Sequence, residues 1–129
     1  MLEKITKGVA ALFAVALLLT GVRWQIDPAV AAGNLHMPLL EGAARSTQIG
    51  DLSSFFVTAG VLAMAGVLTR NAALMIAPAM LVGCAAVFRT LAWALHGAEL
   101  TLDLIVVELL MCVAFLLAWY RMSPANTIR

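Results

Sequence analysis

Charge is scarce in this sequence. Charged residues occupy 12% of its 129 positions, whereas an ordinary soluble domain carries about 25%. The net charge is only +1, which excludes the broad basic surface that binds nucleic acid. We therefore expect no nucleic-acid partner, and the low charge argues against an ordinary soluble fold.

Cysteine and histidine are scarce as well, with two of each. Cys84 and Cys112 form no CxxC pair, which excludes a thioredoxin-like dithiol and the disulfide relays of some small membrane proteins. His36 and His96 belong to no HExxH or EExxH motif, and no glycine-rich phosphate loop is present. The sequence therefore predicts no metal and no cofactor. The weaker alternative is a carboxylate-rich metal site built from Asp51, Asp103 and His96.

Apolar residues, by contrast, make up 64% of the chain, against about 45–50% in soluble domains. A domain of this size cannot bury so much apolar surface by itself, whereas a bilayer can cover it. Four apolar stretches predict transmembrane helices at about 5–26, 43–69, 72–96 and 99–120. The short turns between the last three predict an antiparallel arrangement. The predicted fold class is all-α, an integral membrane four-helix bundle that forms a single domain over 1–129.

The first apolar run has a second interpretation, as a secretory signal peptide with Ala29-Val30-Ala31 as its cleavage site. Arg23, Trp24 and the Asp27-Pro28 pair separate the run from that site, which favours a retained helix that ends at Asp27. The stretch that follows, as far as Gly42, is mildly apolar and too short to span a bilayer. We expect it to form an interfacial or re-entrant segment between helices 1 and 2.

Basic and aromatic residues predict the orientation in the membrane. With four spans both termini share one side, and the basic residues on that side are Lys4, Lys7, Arg70, Arg121 and Arg129. The opposite side carries only Arg23 and Arg45. The positive-inside rule therefore predicts cytoplasmic termini. An aromatic belt agrees, with Trp24 and Trp93 at the outer interface and Trp119-Tyr120 at the inner one.

Ionisable and polar residues concentrate in the outer half of the predicted membrane region. Charges within a span cost several kcal/mol unless they are paired or hydrated, so these side chains should face one another or a watery cavity. Helical spacing supports this, because the polar residues of helix 2 and those of helix 3 each form a stripe, and Glu99 and Asp103 share a face of helix 4. Glu108 lies about 140° further round helix 4 and is expected to address a different neighbour. The candidate ligand-binding residues are Arg45, Gln48, Asp51, Arg89, Trp93, His96, Asp103 and Glu108.

Similar depth predicts two pairings within this set. Arg89 is expected to pair with Asp103, and Arg45 or Gln48 with Asp51. Glu108 is then the deepest carboxyl and has no evident cationic partner. The alternative is that such pairs only fix the register of the helices.

Three segments of the sequence carry a family resemblance. They are residues 37–51 (MPLLEGAARSTQIGD), 77–80 (APAM) and 89–97 (RTLAWALHG), together with the acids of helix 4. They resemble a family of small bacterial four-helix membrane proteins classed as a domain of unknown function, and the chain more distantly resembles the DoxX-like superfamily. The resemblance implies a bacterial inner-membrane location and a four-helix fold, and it brings no assigned activity.

The polar set supports several functional hypotheses. The first is a pocket for a small lipophilic ligand (a sterol, a quinone or an acyl lipid), covered by the segment between helices 1 and 2. The second is an isomerase-type membrane enzyme, with Glu108 or Asp103 as general acid/base, Arg89 as electrostatic stabiliser and His96 as proton shuttle. The others are a structural subunit of a larger membrane complex and a proton-coupled transporter that acts as a homo-oligomer. Membrane lipids are the remaining expected partners.

Overall fold

The computed structural model describes residues 1–123, and Arg129 of the predicted basic side lies outside them. The helices are α1 (Leu2–Ile26), α2 (Pro28–Asn34), α3 (Gly42–Thr69), α4 (Ile76–His96) and α5 (Leu102–Met122), and a 3₁₀ turn (Ala72–Met75) precedes α4. Residues 1–123 contain no strand. Four helical stretches are long and apolar enough to cross a membrane: Leu2–Ile26, Gly42–Thr69, Ala72–His96 and Leu102–Met122. The predicted all-α four-helix fold is confirmed, and it fits a multi-pass membrane protein.

The two ends of the bundle are distinct. At one end, which we call the Arg70 end, the chain start meets the turn after α3: an Arg70 Nη nitrogen donates to Glu3 Oε1 at 2.8 Å. The opposite end, the His36 end, holds the C-termini of α1 and α4 and the N-termini of α3 and α5. There His36 Nε2 lies 2.7 Å from Asp103 Oδ2. The four long helices therefore run up and down between two ends, each of which has a polar side-chain contact between segments far apart in the chain.

Helix α1 packs along α3, α4 packs along α5, and α1 also contacts α5. Close approach of α1 and α3 depends on glycine: a Cβ at Gly60 would lie 2.9 Å from the Ala14 carbonyl oxygen, and one at Gly21 would lie 2.9 Å from the Val57 nitrogen. Small residues of this kind allow helix backbones to pack in lipid, where no hydrophobic force brings helices together. The resulting alanine-rich core fills the Arg70-end half and includes Ala10, Ala14, Ala59, Ala63, Ala79, Phe115 and Ala118.

The segment between α1 and α3 is ordered by its own contacts. Asp27 ends α1, and its side chain accepts a hydrogen bond from the Val30 backbone nitrogen at 3.2 Å, so that α2 begins at once. Ala31 and Ala32 of α2 pack on the fully buried Trp24. Residues 35–41, which we call the strap, then return to the start of α3. The predicted interfacial or re-entrant segment is thus a short helix followed by a strap.

Helix α5 begins later than predicted. The chain from Gly97 to Thr101 forms a connection, and the helix starts at Leu102 rather than near 99. Gly97 ends α4 in the left-handed region (φ 66°), a conformation that glycine adopts without steric cost. The later start changes the depth of every polar side chain on α5.

Candidate ligand-binding cavity

A cavity of about 900 Å³ occupies the His36-end half of the bundle. It begins where the alanine-rich core stops, at Leu17 and Val82, which are 2% and 3% exposed. Phe56 of α3 and Ala85 of α4 both line the cavity. Leu35 of the strap lines the wall nearest the His36 end. The cavity therefore lies in the His36-end half of the bundle, beside the second packed cluster that surrounds Trp24.

The cavity opens laterally between the helices. Phe55 and Phe88, on α3 and α4, line it and are 52% and 64% exposed. Leu19 on α1 lines it and is 65% exposed. The exposed surface of the helices is rich in large apolar side chains, as expected for helices that face lipid. A lipophilic molecule could therefore enter from the bilayer without crossing water.

One ion pair forms part of the cavity wall. Arg89 Nε donates to Glu108 Oε1 at 2.8 Å, and the two side chains are 30% and 16% exposed. This contact corrects two predictions: Arg89 does not pair with Asp103, and Glu108 does have a cationic partner. The pairing follows from how far each side chain lies from the His36 end of the bundle. Arg89 lies seven residues before the end of α4 and Glu108 six after the start of α5, whereas Asp103 is only the second residue of α5.

Asp103 instead joins α5 to the strap through His36. Both side chains are more than half exposed, and neither lines the cavity. His36 has a φ of 57°, which is uncommon for a residue other than glycine and holds the strap in a sharp bend. The imidazole–carboxylate contact therefore fastens the strap across the open end of the bundle.

Gln48 and Arg45 hold the strap from its other side. The Leu40 backbone nitrogen donates to Gln48 Oε1 at 2.9 Å, and Gln48 Nε2 donates to the Pro38 carbonyl at 3.0 Å. Arg45 Nε donates to the Leu40 carbonyl at 2.7 Å. The predicted pairing of Arg45 or Gln48 with Asp51 is wrong, because these donors bind the strap backbone. Asp51 is exposed and does not line the cavity.

The other predicted ligand-binding residues lie away from the cavity. Trp93 is 49% exposed near the end of α4, and His96 is the exposed last residue of that helix. Of the eight candidates, only Arg89 and Glu108 line the cavity. Among residues 1–123, no group of three or more histidine, cysteine, aspartate or glutamate side chains is placed to hold a metal ion.

Three polar residues of the wall were not among the candidates. Arg23 and Thr20 line the cavity from α1, and Asn34 lines it from the end of α2. Thr20 and Arg23 could have been predicted from their spacing, because they follow Leu17 at successive intervals of three residues and so share a helix face with it. Asn34 could not be assigned in this way, since its position depends on how α2 folds back.

No family model, curated protein or solved structure matches this chain. The function of the cavity is therefore interpreted from its own residues.

Proposed function

We propose that the chain binds a small lipophilic ligand, such as a sterol, a quinone or an acyl lipid, in this cavity. The observation that carries the proposal is the cavity itself, about 900 Å³ in volume with a largely apolar wall. Ligand pockets typically measure about 300–1,000 Å³ and combine apolar walls with a few polar groups that fix orientation. Arg89 and Glu108 supply such polar groups here.

The proposal includes a membrane setting. We place the chain in a bacterial inner membrane with both termini cytoplasmic, and so assign the cavity to the outer leaflet. Basic residues support this orientation, because Lys4, Lys7, Arg70 and Arg121 belong to the Arg70-end half. The resemblance to the DoxX-like superfamily remains a prediction, as do a homo-oligomer and a larger membrane complex.

Filling the cavity tests the proposal. Ala85 lines the cavity on α4, and Ala85→Phe places a ring in its volume. Val87 lies two positions further along the same helix, is 55% exposed and does not line the cavity, so Val87→Phe is the matched control. Lipid extraction and native mass spectrometry of the purified proteins would measure retained ligand.

We expect wild type and Val87→Phe to retain the same lipophilic species at a similar level. Ala85→Phe should retain at least tenfold less, because its ring occupies the space that the ligand needs. Equal retention by all three proteins, or no retained species in wild type even after incubation with candidate lipids, would refute ligand binding in this cavity.

A structural role for the ion pair is the second candidate function. The Arg89–Glu108 contact joins α4 to α5, and an ion pair of this kind can fix helix register without any chemistry. The enzyme hypothesis has less support, because Asp103 and His96, two of its four residues, lie outside the cavity. Stoichiometric copurification of other membrane proteins would favour a structural subunit.

A further inference from the structure

The cavity wall carries an excess of positive charge. Its ionisable lining residues with a formal charge at neutral pH are Arg23, Arg89 and Glu108. The carboxylate of Glu108 neutralises Arg89. Arg23 forms no ion pair with any residue between 1 and 123. Arg23 is therefore a positive charge on the cavity wall that has no ion-pair partner among the described residues.

Arg89 also has hydrogen-bonding capacity to spare. A guanidinium group has five N–H donors, and Arg89 uses the one on Nε to bind Glu108. Its terminal nitrogens make no hydrogen bond within residues 1–123, and the side chain is 30% exposed where it lines the cavity. The planar fork of a guanidinium group matches the two oxygens of a carboxylate.

We propose that the ligand is a single-chain amphiphile with a carboxylate head, of the fatty-acid class. This inference rests on the proposed function and specifies its ligand. The carboxylate supplies the missing negative charge to Arg23 and accepts hydrogen bonds from the terminal nitrogens of Arg89. The acyl chain lies along the apolar wall formed by residues such as Leu52, Phe56 and Met111.

The position of Arg89, well inside the bundle, favours a ligand with a small polar head group. Arg89 lies seven residues below the end of α4, which is about 10 Å along the helix axis. Asn34 and Leu35 line the cavity from the segment above. A carboxylate is smaller than the head group of a phospholipid, so a single-chain acid needs less space beside these residues than a two-chain phospholipid does. Neutral sterols and quinones would leave Arg23 without a counter-charge.

Direct binding measurements test the ligand class. The full chain in detergent would be titrated with radiolabelled palmitate, and hexadecanol, cholesterol, ubiquinone and phosphatidylglycerol would serve as competitors. We expect palmitate to bind and hexadecanol, which has the same chain and no charge, to compete at least tenfold more weakly. Arg23→Gln should weaken palmitate binding about tenfold. Arg23 is exposed, so this variant should fold.

Arg23→Lys is the matched control, because it keeps a positive charge at the same exposed position of the cavity wall. It should change palmitate affinity less than twofold. Equal binding of palmitate and hexadecanol, or equal loss in the Arg23→Gln and Arg23→Lys variants, would overturn the carboxylate assignment. Preferred binding of phosphatidylglycerol, cholesterol or ubiquinone over palmitate would overturn it as well.

A second measurement separates failure of this inference from failure of the proposed function. Cys84 lines the cavity and is exposed, so its alkylation by N-ethylmaleimide can report occupancy. Cys112 does not line the cavity and serves as an internal reference when both sites are quantified by peptide mass spectrometry. Protection of Cys84 by palmitate and not by hexadecanol supports the inference. Protection by neutral lipids alone overturns the inference and leaves the proposed function standing, whereas protection by none of the lipids counts against both.

Discussion

Glu108 is the residue whose hydrogen bonds bear most directly on the function of the polar part of the cavity wall. One carboxylate oxygen accepts from Arg89, and the other, Oε2, is buried without a hydrogen-bond partner within residues 1–123. An unsatisfied buried acceptor costs about 1–3 kcal/mol, so the pair is not optimised for stability alone. The presence of a charged pair here at such a cost is consistent with a binding role, in which a ligand accepts hydrogen bonds from Arg89.

Double-mutant analysis of this pair gives the first prediction. Arg89→Gln and Glu108→Gln should each destabilise the protein by about 1–3 kcal/mol, because each leaves the opposite charge partly buried and alone. The double variant should cost less than the two single effects combined, with a coupling of about 1–2 kcal/mol. Unfolding by sodium dodecyl sulfate in mixed micelles measures this. Strict additivity would show that the two side chains do not interact.

Gln48 is the residue that anchors the strap, and it gives the second prediction. It is 7% exposed and forms hydrogen bonds with the backbone of Pro38 and Leu40. Gln48→Ala should therefore raise hydrogen exchange across residues 35–41, by an amount that corresponds to about 1–3 kcal/mol. Thr47→Ala, an exposed neighbour on the same helix, is the control and should leave exchange there unchanged. Unaltered exchange in Gln48→Ala would contradict this anchoring role.

At the scale of helices, the contact between α1 and α3 depends on glycine and gives the third prediction. A methyl group at Gly60 would meet Leu18 Cγ at 2.7 Å and the Ala14 carbonyl at 2.9 Å, so Gly60→Ala must separate the two helices. We expect a loss of about 1–3 kcal/mol, as in other overpacked cores. Gly50→Ala, on the same helix with nothing within 4 Å, should be neutral or slightly stabilising. Equal thermal stability of the two variants would contradict the prediction.

The four long helices could be predicted from the sequence because each is a local apolar run ended by a local signal. The pairing of charges across helices could not, because it depends on relative depth. The last helix was predicted to start near 99, but it starts at Leu102, three residues later. The early start placed Asp103 about 4.5 Å too deep in the predicted bundle, so that it matched the depth of Arg89. The contact between His36 and Asp103 joins residues 67 positions apart, and no local pattern indicates it.

At the scale of the whole molecule, the two halves of the bundle are built differently. The alanine-rich core joins α1, α3, α4 and α5 near the Arg70 end, while the cavity separates the α1/α3 pair from the α4/α5 pair near the His36 end. The strap crosses this open end and is fastened to α3 and α5. The strap therefore lies over the half of the bundle that contains the cavity, and the alanine-rich core packs the other half.

The orientation of this asymmetric molecule is the last prediction. Ala73 and Ala98 are exposed residues at the Arg70 and His36 ends, and each can be replaced by cysteine. With cytoplasmic termini, a membrane-impermeant maleimide should label Ala98→Cys in cells whose outer membrane alone is permeabilised. Ala73→Cys should gain labelling only after the inner membrane is lysed, and wild type gives the background from Cys84 and Cys112. The reverse pattern would place the cavity in the cytoplasmic leaflet, where a carboxylate ligand would have to arrive from inside the cell.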